Sequence, residues 1–272
     1  MKVWLSRGWD MTMQHKYVGV LIFIYRLLWG IILFRFVDAV VTPILARYPD
    51  LGPDRDAAAL FLIEAEFRLL RTDLPNPFLW LLGGALAIRM IVTPLINAGL
   101  FYSFHHTLAL REDKNGTRVL AGMRQSWKPI VVLYSIENAL ILLPIAWLLP
   151  MAKSQFHTAG SAADWLLALL PYAAGWIAWG FLVRLLSQCM QFAAVSRVGM
   201  AKGAAQALAR AWPLLALSLT LSGIGLAASA ALSVITVVWS GLLAVILHQS
   251  YYLIRSLLEI WTAASRYAVW RE

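Results

Sequence analysis

The sequence predicts an all-α polytopic membrane protein, a single integral membrane domain over 1–272 with six transmembrane helices. Three observations predict it. Apolar residues make up 61% of the chain and charged residues 14%, with a mean hydropathy of +0.70, whereas a soluble domain carries about 45–50% and roughly 25%. Six apolar stretches approach or exceed the ~20 residues that a helix needs to cross a hydrocarbon core of about 30 Å. Lys and Arg crowd into every second connection, the asymmetry expected when basic loops stay on the cytoplasmic side.

The N-terminal stretch 1–16, MKVWLSRGWDMTMQHK, is basic and aromatic. It lacks the apolar core and small-residue cleavage site of a signal peptide and reads as an interfacial segment. Spans follow at about 17–46, 77–109, 129–151, 165–195, 213–238 and 241–264. Several exceed the minimum length, so tilt or extension beyond the lipid is expected. The outer loop 48–76 contains an amphipathic helix: Leu60, Ile63, Phe67 and Leu70 share one face, with Glu64 and Arg68 at i, i+4 on another.

Orientation follows from charge. Lys2, Arg7 and Lys16 precede the first span. Arg111, Lys114, Arg118, Arg124 and Lys128 lie between the second and third, Arg197, Lys202 and Arg210 between the fourth and fifth, and Arg266 and Arg271 in the tail. The opposite side carries Arg47, Arg55, Arg68, Arg71 and Lys153, largely balanced by carboxylates. Both termini are therefore expected in the cytoplasm of a multi-pass plasma (inner) membrane protein. Trp127, Trp212, Trp261 and Trp270 fall at the expected inner interface, and Trp80, Trp147, Trp165 and Trp239 at the outer one. The net charge of +9 and pI of about 9.9 reflect these loops, and no nucleic-acid partner is implied. One cysteine, Cys189, excludes an intramolecular disulfide.

Two inner connections repeat a pattern. Val119, Leu120, Met123 and Trp127 recur as Ala204, Ala205, Leu208 and Trp212, 85 residues later, and both connections lead into Pro129 or Pro213 near a helix start. The pattern predicts two amphipathic helices on the inner membrane surface and a parallel hairpin repeat of spans two–three and four–five. Arg118, Arg124, Lys202 and Arg210 are its candidate docking residues.

Charges also fall inside the spans. Counted at 1.5 Å per residue, Arg89 lies roughly 18 Å below the outer end of its span, and Glu137 about 13 Å from the inner edge. Matching depth predicts an Arg89–Glu137 ion pair, which offsets part of the ~2.5–3.5 kcal/mol cost of a mid-membrane charge. Arg26, Arg255 and His248 complete a candidate intramembrane polar cluster. Arg255–Glu259 at i, i+4 and Arg35–Asp38 at i, i+3 are expected to pair locally. Two readings follow: structural pairing with snorkelling, or an excess of positive charge that receives an anionic headgroup. Pro94 and Pro144 are candidate kinks.

No catalytic motif appears. His105-His106 lacks carboxylates at metal-ligand spacing, and no P-loop, nucleophile elbow or His-Glu-x-x-His is present. No catalytic residue, metal or cofactor is assigned.

The out-to-in span containing PLINAG, the basic connection with its short amphipathic stretch, and the span rising from Trp127-Lys128-Pro129 together resemble a broad group of bacterial six-span proteins. That group includes the membrane domain attached to some glycerophosphodiester phosphodiesterases. The resemblance covers 88–149, with an echo over 184–221. It implies an accessory membrane role. No phosphodiesterase domain accompanies it in this sequence, so no catalytic residue is carried over. The expectation is a non-enzymatic accessory or scaffold subunit, with membrane lipids and other membrane subunits as partners. The alternatives are a permease subunit working with a cytoplasmic ATPase, and a lipid-handling enzyme using Arg89 and Glu137.

Overall fold

A computed structural model describes the backbone of residues 1–42, 76–109, 118–158, 162–238 and 242–272. The described residues are helical and contain no strand. The helices are α1 (Lys2–Gln14), α2 (Lys16–Phe36) closing in a π-helical turn (Val37–Val41), α3 (Asn76–Ala109) and α4 (Val119–Leu142). They continue with α5 (Ile145–Thr158), α6 (Ala162–Val195), α7 (Met200–Ala209), α8 (Ala211–Val238) and α9 (Leu242–Arg271). Five segments among the described residues are long and apolar enough to cross a membrane: Lys16–Ala39, Trp80–Leu108, Val119–Gln155, Ala163–Val195 and Ala211–Ile235. The all-α, polytopic membrane class therefore holds. The sixth expected span coincides with part of α9, which is not among those five. The expected outer loop 48–76, with its expected amphipathic helix, lies outside the described residues except for Asn76, which opens α3.

The two connections expected on the inner side differ from each other, and one differs from expectation. The first is no separate surface helix, because α4 begins at Val119 and runs on through Pro129. Its first turns are drawn onto α3 by glycine. A Cβ on Gly99 would stand 2.6 Å from both Cγ1 and the carbonyl oxygen of Val119, and a Cβ on Gly122 would collide with Tyr102. The second connection is the expected short helix, α7. Arg197 at φ 55 and Gly199 at φ 94 turn the chain out of α6 into it, and only glycine adopts the second of these freely. Gly203 then lets α7 close onto Ala193 of α6.

The third expected span, 129–151, is broken where Pro144 stands. A proline has no N–H to give the carbonyl four residues back, so Leu140 loses its donor, α4 ends at Leu142 and α5 starts at Ile145. In hydrocarbon no water replaces the missing bond. Two indoles on α6 do: Trp179 Nε1 donates to the Leu140 carbonyl at 3.0 Å and Trp176 Nε1 to that of Ile141 at 2.8 Å. Their i, i+3 spacing puts both on one face. Pro94, by contrast, is carried inside an unbroken α3.

The chain forms two compact units, 1–27 with 93–133 and 186–272, and 28–92 with 134–185. The first is built on the end of α9, where 263–270 are all buried. The expected interfacial segment is α1, packed on that end: Gly8 fits against Ser265 with no space for a Cβ. Trp261 Nε1 donates to the Leu5 carbonyl at 2.9 Å, and the Trp9 and Trp261 rings meet edge-on at 5.2 Å. Phe101, Phe192, Tyr267 and Trp270 form an aromatic core around the same helix. In the second unit, besides the indole caps on α4, Trp165 Nε1 donates to the Ala152 carbonyl at 3.0 Å.

Replacing Trp176 by Phe leaves the Ile141 carbonyl without its donor and should cost about 1–3 kcal/mol, read as a lower unfolding midpoint in detergent. Trp179→Phe should cost less in a Pro144→Ala background, where the restored N–H serves Leu140, than in the parent chain.

Candidate functional site

Arg89, on the second expected span, is exposed, and its guanidinium carbon lies 5.4 Å from the centroid of the Trp29 ring of α2. Ion pairs join Arg26 to Glu259 and Arg7 to Glu272, whereas Arg89 meets an indole in place of the expected Glu137 carboxylate. Matching depth along two helices does not fix the direction each residue faces. Glu137 is buried, whereas Arg89 is turned outward onto an indole.

The local pairings are corrected in the same way. Glu259 does not close on Arg255 one turn away; it accepts from Arg26 Nη2 of α2, and Arg255 is exposed. An interhelical pair also ties α2 to α9, which an i, i+4 pair cannot do. Arg35 and Asp38 form no ion pair among the described residues, because Asp38 falls in the π-helical turn, whose wider winding breaks the i, i+3 alignment. At the residue before Arg26, Tyr25 shares a hydroxyl–hydroxyl bond of 3.2 Å with Thr93. The backbone of His248 is part of α9, and its side chain lies outside the described residues. The structure thus brings Arg26 to Glu259, and sets Arg89 over an indole instead of a carboxylate.

Of the docking candidates, Arg118, Arg124 and Lys202 are exposed. Arg210 is not free. Its Nη1 donates to the carbonyls of Val269 (3.1 Å) and Trp270 (2.6 Å). These belong to the last turn of α9, whose carbonyls have no intrahelical donor and whose dipole favours a cation. Trp270 Nε1 in turn donates to the Gly203 carbonyl at 3.3 Å, so α7 is clamped to α9 from both ends.

Two residues with structural consequence were not legible as such. Arg266 reads as a tail cation, yet it is buried. Its Nε donates to Ser218 Oγ of α8 (2.8 Å) and its Nη1 to Gln188 Oε1 of α6 (2.6 Å). His15, between α1 and α2, is buried with both ring nitrogens engaged. Nδ1 donates to the Met11 carbonyl (2.7 Å), which fixes the tautomer, and Nε2 accepts from the Ser103 hydroxyl (2.6 Å). No sequence motif marks either. His105 Nδ1 lies 2.9 Å from Tyr267 Oη and 3.3 Å from Ser196 Oγ. Among the described residues no group of three or more His, Cys, Asp or Glu could hold a metal. A groove of about 450 Å³ opens between α1 and the end of α3, lined by Arg7, Asp10, Met11, Gln14, Thr107 and Leu108.

No protein-family model matches the chain, and neither a characterised protein nor a solved structure matches it.

Burial holds the pKa of His15 below its ordinary value, against the opposing pull of the Met11 carbonyl. The unfolded chain therefore takes up the proton first, so this stabilisation is complete above about pH 6.5 and is lost as the pH falls through the folded value. The unfolding midpoint should drop on acidification below about pH 6.5, and His15→Gln should flatten that dependence. Arg210→Met, which keeps the stem and removes both bonds, should cost about 1–2 kcal/mol and loosen the last turn of α9 in hydrogen exchange.

Proposed function

We propose that the chain is a non-enzymatic accessory or scaffold subunit of a plasma-membrane complex, with both termini cytoplasmic, six spans, and spans two–three and four–five as parallel hairpins. The observation that carries this reading is the surface held out by α7. Gly203 and Ala207 form the buried face of this helix, while Lys202 and Leu208 (70%) are exposed on it and Trp212 (82%) is exposed at the start of α8. On α4 of the same unit, Leu120 is 81% exposed between Arg118 and Arg124.

An apolar and basic surface suits the boundary between membrane and cytoplasm. Its rigidity suits a protein partner, because the Arg210 clamp and the Trp270–Gly203 bond remove much of the ordering cost that binding otherwise carries. Large apolar side chains rimmed by polar ones are the usual form of an interaction surface.

The test is native mass spectrometry of the chain extracted gently from its own membrane. A stoichiometric protein partner is expected. It should be lost from a Leu208→Ser, Trp212→Ser variant whose unfolding midpoint is unchanged. Recovery of the chain alone would sink the scaffold reading. Recovery with an ATPase would turn it toward a permease subunit.

A further inference from the structure

Arg89 stands nine residues beyond Trp80 on the segment Trp80–Leu108, about 14 Å along the helix. The hydrocarbon core is about 30 Å thick, so a guanidinium there is close to its middle. A long side chain can escape to the interface by extending along its helix. Arg89 instead lies over the face of Trp29. That contact holds the cation by the quadrupole of the ring and leaves its charge uncancelled.

The surroundings on this unit are apolar and open. Leu86, Ile88 and Ile91 of α3 and Leu28 and Ile31 of α2 are exposed. A Cβ on Gly30, Gly83 or Gly84 would meet nothing within 4 Å. A neighbouring helix could therefore approach closely here.

We infer that Arg89, seated on Trp29, is the docking point for a transmembrane helix of a second protein that carries a carboxylate at mid-depth. The inference deepens the accessory-subunit reading by naming a contact inside the membrane. Depth selects a protein acid over a lipid phosphate, because headgroups lie at the edges of the core. A second copy of this chain does not supply the acid from its described residues. Asp38 and Asp164 are exposed but stand at the ends of their spans, Glu137 is buried, and Glu259 is paired with Arg26. A two-fold contact through this face would also set Arg89 near its own symmetry mate.

The probe is a Leu/Ala transmembrane peptide of about 21 residues with one central Glu, compared with the same peptide carrying Gln. The full chain is reconstituted in phosphatidylcholine vesicles at pH 8, and association is read by energy transfer between labelled protein and peptide. The Glu peptide should bind at least about fivefold more tightly than the Gln peptide, the scale of an interhelical polar contact in lipid. Arg89→Leu should erase that preference and Arg89→Lys should keep part of it. Leucine is at home in hydrocarbon, so Arg89→Leu removes the charge without endangering the span. Equal binding of the two peptides, or a preference that survives Arg89→Leu, overturns the inference.

The Leu208→Ser, Trp212→Ser variant should retain the Glu preference. A preference for Glu in a chain that native extraction recovers alone would leave the intramembrane site standing and remove the scaffold reading. The reverse pattern would remove only the site.

Discussion

The burial of the last two turns of α9 is the constraint on which the first unit depends. From 263 to 270 no residue reaches the surface, although helix geometry points these side chains in every direction. Each direction needs a cover: α1 over Ser265, the aromatic rings of α3 and α6 around Tyr267, α8 beneath Arg266, and α7 beside Trp270. A helix end wrapped in this way must also have its terminal carbonyls served from within the protein. Arg210 does so. The chain termini meet for the same reason: Trp4 and Arg7 both donate to the Glu272 carboxylate.

Satisfaction of polar groups without water shapes the rest. Hydroxyl side chains along the helices bond back to the carbonyl four residues earlier, as in Thr107 to Ser103, Ser218 to Leu214, Thr220 to Ala216 and Thr262 to Leu258. Such side chains cost little inside hydrocarbon because their donors are used locally. The Pro144 break has no local remedy, and the two α6 indoles supply one. Arg26–Glu259 is the same solution applied to charge: each ion lowers the cost of the other, and the bond fixes α2 against α9.

Arg89 departs from that solution. Arg26 and Glu259 answer each other and Glu137 is buried, while Arg89 rests on an indole at an open apolar surface. Burial of α7 on its Gly203 side, with Leu208 exposed on α7 and Trp212 exposed at the start of α8, forms a second surface that the unit itself does not cover.

The membrane class, five of the expected spans and the short α7 were legible because they rest on composition, hydropathy and local turn chemistry, all of which are properties of neighbouring residues. The Pro144 break was half legible: proline marks the place, but the indoles that make it tolerable lie on another helix. The pairings were not legible. Depth along an axis can be counted from sequence, whereas the direction a residue faces depends on how helices rotate against one another. Arg89 therefore met Trp29 instead of Glu137, Glu259 met Arg26 instead of Arg255, and Arg210 and Arg266 turned inward to carbonyls and amides that lie dozens of residues away in the chain. Hydropathy decides which segments enter lipid; only the packed helices decide which charge each segment finds there.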